Sequence, residues 1–250
     1  PTLRFECDAV VAVGGAPTSA MPRWQPMRVA RGTTLDFGPI TAGCRGYLAV
    51  AGGIDVPVVL GGRGLHLRAG FGGGEGRLLA AGDWVPIGAT VHEVTAGGWH
   101  LDERILPWHG DAGILRVLPD EDGTEFHAAA WTACYQVSAK SDRMGIRLSG
   151  PRLTDGGGKE RLSSAVVPGT VQVPPDGQPI ILMVDAQTIG GYPRLGQVIA
   201  ADLPKLAQLR PGQSVQFQRV DRDEATRALT ARERALALVR QGIARKLHRV

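Results

Sequence analysis

Two short stretches of the chain concentrate side chains that can do chemistry. Ser141-Asp142-Arg143-Met144-Gly145-Ile146-Arg147-Leu148-Ser149-Gly150-Pro151 sets an acid, guanidinium groups and glycine in one compact run. Asp185-Ala186-Gln187-Thr188-Ile189-Gly190-Gly191-Tyr192-Pro193-Arg194 follows directly on the apolar run 180–184. A guanidinium such as Arg143 or Arg194 clasps a carboxylate, carbonate or phosphate through two parallel hydrogen bonds. Gln172 and Gln187 can both donate to and accept from an amide or ureide. Asp185 has the chemistry of a base or an orienting group. The Gly190-Gly191 pair lets backbone N–H groups come close to a ligand, where they can stabilise a developing oxyanion. The competing reading is a turn whose Asp and Thr bond their own backbone. Residue chemistry alone leaves both open.

Other chemistries find less support. His66, His92, His100, His109, His127 and His248 never pair at i, i+2 or i, i+4, and no Cys stands near them in ligand spacing, so no metal site is expected. Gly70–Arg77 is glycine-rich but lacks the G-x-x-x-x-G-K-[ST] pattern. In Gly156-Gly157-Gly158-Lys159 the lysine is followed by Glu160, so this is no phosphate loop either. There is no G-x-S-x-G elbow. No Met flanks a Lys, so no Met-Lys-Met biotin attachment site is visible.

Such side chains need rigid elements behind them, and strand signals dominate. Candidates are 9–13, 34–37, 47–51, 84–87, 114–118, 132–137, 170–173, 180–184 and 214–220, each short, aliphatic and bounded by Gly, Pro or Asp. The clearest hairpin joins Val171-Gln172-Val173 to Ile180-Ile181-Leu182-Met183-Val184 through Pro174-Pro175-Asp176-Gly177-Gln178-Pro179. Its return strand is apolar throughout and is expected to be buried on both faces. With the strand period continued past Val184, Asp185 and Gln187 would share one face, and the glycines would return Tyr192 and Arg194 to the same pocket. A spacing of Gly, two residues, apolar, one residue, apolar recurs from Gly32, Gly82 and Gly212. It fits ordinary β-protein grammar or two related small barrels. Residues 200–209 read as a short helix ended by Pro211-Gly212, and 223–247 as a long amphipathic one with acids at its start and bases at its end.

Composition agrees with a β-rich globular protein of one large or two small domains. Of 250 residues, 43% are hydrophobic and 21% charged, which excludes a disordered chain; 35 glycines without a Gly-X-Y period imply many tight turns rather than collagen. Arg222–Val250 holds eight basic and three acidic residues, and the rest is balanced to −1, so no broad nucleic-acid surface is expected. Cys7, Cys44 and Cys134 are scattered and odd in number, which reads as reduced thiols in a cytoplasmic protein. No apolar run reaches membrane-span length, and no signal segment opens the chain. The chain begins at Pro1 in what reads as mid-strand, as a fragment or processed form would.

The same residues carry a family resemblance. Ser141–Pro151 and VPGTVQVPPDGQPIILMVDAQTIGGYPRLGQV at 167–198 resemble the signature stretches of the biotin-dependent carboxyltransferase-type family, whose members are also called allophanate hydrolase subunit 2 or C-type subunits of 5-oxoprolinase. GYLAVAGGIDVP at 46–57, LRAGFGG at 67–73 and Gly82-Asp83 fit it too. The resemblance implies a mainly β fold of two cyclophilin-like β-barrel subdomains with few helices. These would occupy 1–100, lacking its N-terminal part, and 101–250, ending in the long helix. It also implies a companion subunit resembling allophanate hydrolase subunit 1 and, with a third subunit, an ATP-dependent 5-oxoprolinase that opens 5-oxoproline to glutamate. Biotin enters only by analogy with the carboxyltransferase portion of urea carboxylase. A different relative acts with its companion on a sporulation kinase, so a regulatory binding module is the alternative class.

The expected site follows from both lines. Asp185, Arg143 and Gln187 are the candidate catalytic residues. Gln172, Asp142, Thr188, Gly190, Gly191, Tyr192 and Arg194 are the candidates for holding a small lactam or ureide. The chain departs from the family pattern in two places. A preceding segment with a Thr-Val-Gln-Asp-x-Gly-Arg-like motif is not part of it. After Leu60 it reads Gly61-Gly62-Arg63-Gly64-Leu65 where relatives often read Gly-Ser-Arg-Ser-Thr, a loss of hydroxyls that points to a different substrate if they touch it.

Overall fold

A computed structural model describes residues 1–90, 96–105, 113–120, 128–154 and 162–247. The chain divides into two compact units, one formed mainly by residues 1–101 and the other mainly by 102–245.

In the first unit, β1 (Thr2–Arg4) pairs with β4 (Thr34–Asp36), and β2 (Ala9–Gly15) lies between β3 (Pro26–Val29) and β5 (Gly46–Val50). Phe5, Val11 and Val29 are its buried apolar centre. These two sheets are open among the described residues. From Gly52 to Gly88 the chain runs through turns. The expected strand at 84–87 does not form: Pro86 cannot donate to a ladder, only the single bridge Ile54–Ile87 is made, and Trp84 is exposed. The 72–76 turn needs its glycines, because a methyl at Gly72 or Gly76 would strike the backbone carbonyl of Gly64 or Gly70. Gly61, in the run that lacks the hydroxyls of its relatives, stands in the tight turn between Val59 and Gly62, which exchange backbone hydrogen bonds at 2.8 and 3.1 Å.

The second unit is a closed barrel. Its strands are β6 (Ile114–Pro119), β7 (Cys134–Val137), β8 (Gly145–Ser149), β10 (Thr170–Gln172), β11 (Ile180–Leu182), β13 (Arg194–Val198) and β14 (Ser214–Arg219). They close in the order β10-β11-β8-β7-β14-β6-β13, antiparallel except between β14 and β6. A two-stranded ribbon of β9 (Ser164–Ala165) and β12 (Ile189–Gly190) accompanies it. The barrel follows from alternation: Leu115 and Val117 on β6, and Val215 and Phe217 on β14, are buried while Ile114, Ser214 and Gln216 face outward. Tyr135 and Phe217 pack at a ring distance of 5.6 Å inside. β8 and β13 have no counterpart among the expected strands, since the glycines and charged residues of 145–149 and 194–198 mask their alternation.

The 171–184 hairpin forms as expected, with Val171 opposite Ile181 and Gln172 opposite Ile180. Its return strand differs at the end. β11 stops at Leu182, and Val184 is 70% exposed on a turn closed by Ala186 N–H donating to Met183 O at 3.1 Å. Residues 200–209 are shorter in helix than expected, a 3-10 turn at Ala200–Asp202 running into α1 (Leu203–Leu206). The long helix α2 spans Arg222–Leu247, and the Asp221 carboxylate accepts from Glu224 N–H at 2.7 Å at its start.

Candidate functional site

Pairing of β8 with β11 brings two of the candidate residues together. Leu182 lies opposite Gly145, and the zipper continues past the strand ends: Met183 N–H donates to Met144 O at 2.9 Å and Asp185 N–H to Arg143 O at 3.2 Å. The side chains then meet in a two-point ion pair. Arg143 Nε donates to Asp185 Oδ2 at 2.7 Å and Nη2 to Oδ1 at 3.3 Å. The guanidinium is 62% exposed and the carboxylate 27%. Asp142 serves the turn beneath them: its Oδ1 accepts from Met144 N–H at 2.8 Å and from Gly145 N–H at 3.1 Å. Gln187 and Thr188 are exposed beyond the turn, and the Thr188 carbonyl accepts from Val166 N–H. With β11 ended, the alternation that would align Asp185 with Gln187 does not extend to them.

A second group forms where β10 meets β13. Gln172 lies opposite Arg194, beside a bulge at Val171. Val171 and Leu195 belong to the barrel core, so Gln172 and Arg194 alternate onto the outer face. There Gln172 is 2% exposed, and its Nε2 has no hydrogen-bond partner among the described residues. Gly190 of the β9–β12 ribbon lies over it so closely that a methyl group there would collide with the Gln172 amide. Arg194 Nε pairs with Asp120 Oδ2 at 2.9 Å, and its Nη1 reaches Ala165 O at 3.3 Å. Gly191 is half-buried and Tyr192 exposed on the turn back into β13.

The candidate residues thus fall into two groups. Gln172 is level with Ile180 at one end of β11, and Asp185 follows the other end, about 10 Å of strand away. Tyr192 and Arg194 return to the Gln172 end and not to Asp185. Asp120, just past the end of β6, is the partner of the candidate residue Arg194 that sequence reasoning missed. Asp120 opens the acidic run Asp120-Glu121-Asp122, which carries no motif, and only the β6–β13 register brings it to Arg194.

A third Arg–Asp pair is structural. Asp202 is fully buried, accepting from Arg116 N–H and Nε at 3.0 Å and Nη2 at 2.7 Å, with Lys205 Nζ at 3.2 Å. Burial alone pushes its carboxyl up; the Arg116 hydrogen bonds and the Lys205 and Arg116 charges outweigh that and hold it below the usual carboxylate range. Tyr135 is the opposite case. Burial pushes its hydroxyl up to about 12, and the hydroxyl has no partner among the described residues.

Among the described residues no group of three or more His, Cys, Asp or Glu side chains is placed to hold a metal. His66 stacks on Phe71, and its Nδ1 accepts from Ala69 N–H at 3.1 Å. His92, His109, His127, His248 and the Gly156–Lys159 loop lie outside the described residues. No helix among the described residues is long and apolar enough to cross a membrane.

A mainly β chain with a closed seven-stranded barrel agrees with the resemblance. The chain belongs to the family of carboxyltransferase domains, subdomains A and B, whose sequence pattern matches residues 1–219. It is 41% identical over 246 residues to the C-type subunit of 5-oxoprolinase from Escherichia coli K12, covering 93% of this chain and 76% of that one. To the corresponding 5-oxoprolinase subunit of Haemophilus influenzae it is 37% identical, covering 96% and 79%. The crystal structure of Kluyveromyces lactis urea carboxylase superposes with a TM-score of 0.80 at 27% identity. That match covers 90% of this chain but only 22% of the yeast protein.

Proposed function

We propose that this chain is a subunit of an ATP-dependent 5-oxoprolinase-type complex that opens 5-oxoproline to glutamate. The observation that carries this reading is the 41% identity to a 5-oxoprolinase subunit across 76% of its length. Companion subunits, one resembling allophanate hydrolase subunit 1 and a third, complete the enzyme, and ATP is a substrate of the whole complex. Residues 1–100 and 101–250 act as its two subdomains, and the second carries the closed barrel. The complex works in the cytoplasm, a reading supported by free Cys7, Cys44 and Cys134.

In this reading the Arg143–Asp185 pair is the reacting centre. Bidentate pairing holds the carboxylate in one orientation, leaving lone pairs to accept a proton from a lactam N–H or a water. Exposed Gln187 and Thr188 hydrogen-bond substrate beside it, and Asp142 contributes by shaping the turn that presents Arg143. Gln172, Gly190, Gly191, Tyr192 and Arg194 form the binding subsite, with Gln172 packed beneath Gly190.

The test is co-expression with both companion subunits, followed by assay of ATP-dependent glutamate release from 5-oxoproline. Release that requires this chain supports the reading; a stable complex without release overturns it. The yeast urea carboxylase likeness favours one second reading, the carboxyltransferase half of a urea-carboxylating system, to which biotin would belong. ATP-dependent carboxylation of urea by the complex with a biotinylated partner selects it.

A further inference from the structure

We propose that the outer face of α2 is a docking surface for an acidic helix of a companion subunit, held by Arg227 and Arg234 with Leu238 as the apolar contact. The inference rests on the proposed multi-subunit complex.

One side of α2 is already occupied. Ala225 and Ala228 pack against Ile199, Ala201 and Val220, and Arg232 Nη1 donates to Ala200 O at 3.3 Å. At about 3.6 residues per turn, the opposite side carries Arg227, Thr230, Arg234, Leu238, Gln241 and Arg245, in steps of three and four. All six are exposed, Leu238 by 63%. Thr226, Arg227, Thr230, Ala231 and Arg234 line an open groove of about 330 Å³. Glu233 is the one acid between Arg227 and Arg245, and the helical period sets it to the side of this row.

The arginines of the row differ from exposed arginines elsewhere. Arg63, Arg77 and Arg104 each pair with a nearby aspartate, Asp55, Asp83 and Asp102, at 2.7, 2.7 and 2.6 Å. Arg227, Arg234 and Arg245 have no carboxylate partner among the described residues. A row of one charge sign is complemented by a row of the other. Arg227 and Arg234 stand two turns apart, about 10 Å along the axis, and Leu238 follows one turn on. The matching partner is a helix with carboxylates at i and i+7 and an apolar side chain one turn beyond.

The row selects against other occupants. Two α2 helices laid face to face in antiparallel fashion set Asp223 against Arg245 but Arg234 against Arg234; laid parallel, each arginine meets itself. A second copy of this chain is therefore repelled. Outside 222–250 the chain is balanced to −1, so the row does not continue into the broad basic surface that nucleic acid follows. One exposed leucine is too little apolar area to seat the helix in a membrane.

The experiment is titration calorimetry of the full chain with each purified companion subunit, at low and high salt (about 0.05 and about 0.5 M). The double variant Arg227→Glu/Arg234→Glu is expected to weaken binding of one companion at least roughly 10-fold at low salt, with most of the difference gone at high salt. Arg227→Gln/Arg234→Gln keeps good helix formers at both positions and is expected to show a smaller loss with the same salt dependence. Leu238→Gln is expected to weaken binding severalfold at both salt concentrations. Wild-type affinity in both arginine variants, or a loss independent of salt, overturns the inference. So does tighter binding to a double-stranded DNA oligonucleotide or to anionic lipid vesicles than to either companion, if the arginine variants abolish it. A wild type that binds neither companion removes the proposed complex together with the surface. Wild-type affinity in the variants with normal 5-oxoproline turnover removes the surface and leaves the proposed function standing. Salt-dependent loss in the variants, in a complex without turnover, removes that function and keeps the surface.

Discussion

Two Arg–Asp pairs in the barrel unit have the same chemistry and opposite surroundings. Arg116–Asp202 lies where the β6 backbone meets the turn at 200–202; its carboxylate is fully buried and receives three hydrogen bonds from Arg116 and the charge of Lys205. Arg143–Asp185 stands at the end of β8 and β11, with its guanidinium 62% exposed and its carboxylate held by two side-chain hydrogen bonds. A buried charge is tolerable only when its lone pairs are filled, so the first pair is tied up by its neighbours. An exposed pair contributes little to stability, and the second carboxylate accepts two side-chain hydrogen bonds in place of a filled buried shell. Burial and completeness of bonding, rather than residue type, separate the two.

The largest expected effect breaks the buried pair. Asp202→Asn leaves Arg116 and Lys205 without their counter-charge and is expected to destabilise the unit by on the order of 3 kcal/mol, read as a lower urea midpoint. A midpoint unchanged from wild type would erase the difference between the two pairs.

Next comes the exposed pair. Asp185→Asn and Arg143→Ala are each expected to lower turnover of the assembled complex by at least roughly 10²-fold. The urea midpoint is expected to stay near wild type and the complex intact. Near-normal turnover in both would take the reacting centre away from this pair. Loss of the complex in both would make it an interface.

The pH dependence sharpens the same contrast. The Asp202 carboxyl is lowered in the folded state, so the stability it contributes is fully present above the ordinary unfolded value near 4. It is lost as pH falls through the lowered folded value. The gap in melting temperature between wild type and Asp202→Asn should therefore hold at about pH 5–7 and shrink below about pH 4. A gap that widens on acidification contradicts the assignment.

The smallest effect concerns a buried polar group without bonds. Tyr135→Phe removes a hydroxyl that is unpaired among the described residues and is expected to change stability by less than about 1 kcal/mol, in the stabilising direction. Since burial raises the phenol to about 12, the wild type should also lose stability between about pH 10 and 12 relative to the phenylalanine variant. Alkaline melting curves check this.

Much of the barrel was legible because its strands alternate. Leu115/Val117, Val215/Phe217 and the Pro-Pro-Asp-Gly turn carry period-2 and turn signals that depend on near neighbours only. The long helix was legible for the same reason, from its 3.6-residue spacing and the charges at its ends. The strand at 84–87 was not, because one proline outweighs three apolar neighbours once a ladder partner is required. Val184 was misplaced because an apolar side chain carries no mark of where its strand ends.

Residue types by themselves determined which groups could act: guanidinium at 143 and 194, carboxylate at 185, carboxamide at 172, and glycine where the backbone must pass close by. Spacing along the chain could not decide which of them meet. Asp185 reached Arg143 across 42 residues because β11 zips onto β8, and Asp120 reached Arg194 because β6 lies beside β13. Strand register is set by packing the alternating apolar faces into one closed barrel, a condition on all seven strands at once. That is why the partner of each charged side chain, and the split of the candidates into two groups, emerged only in the tertiary structure.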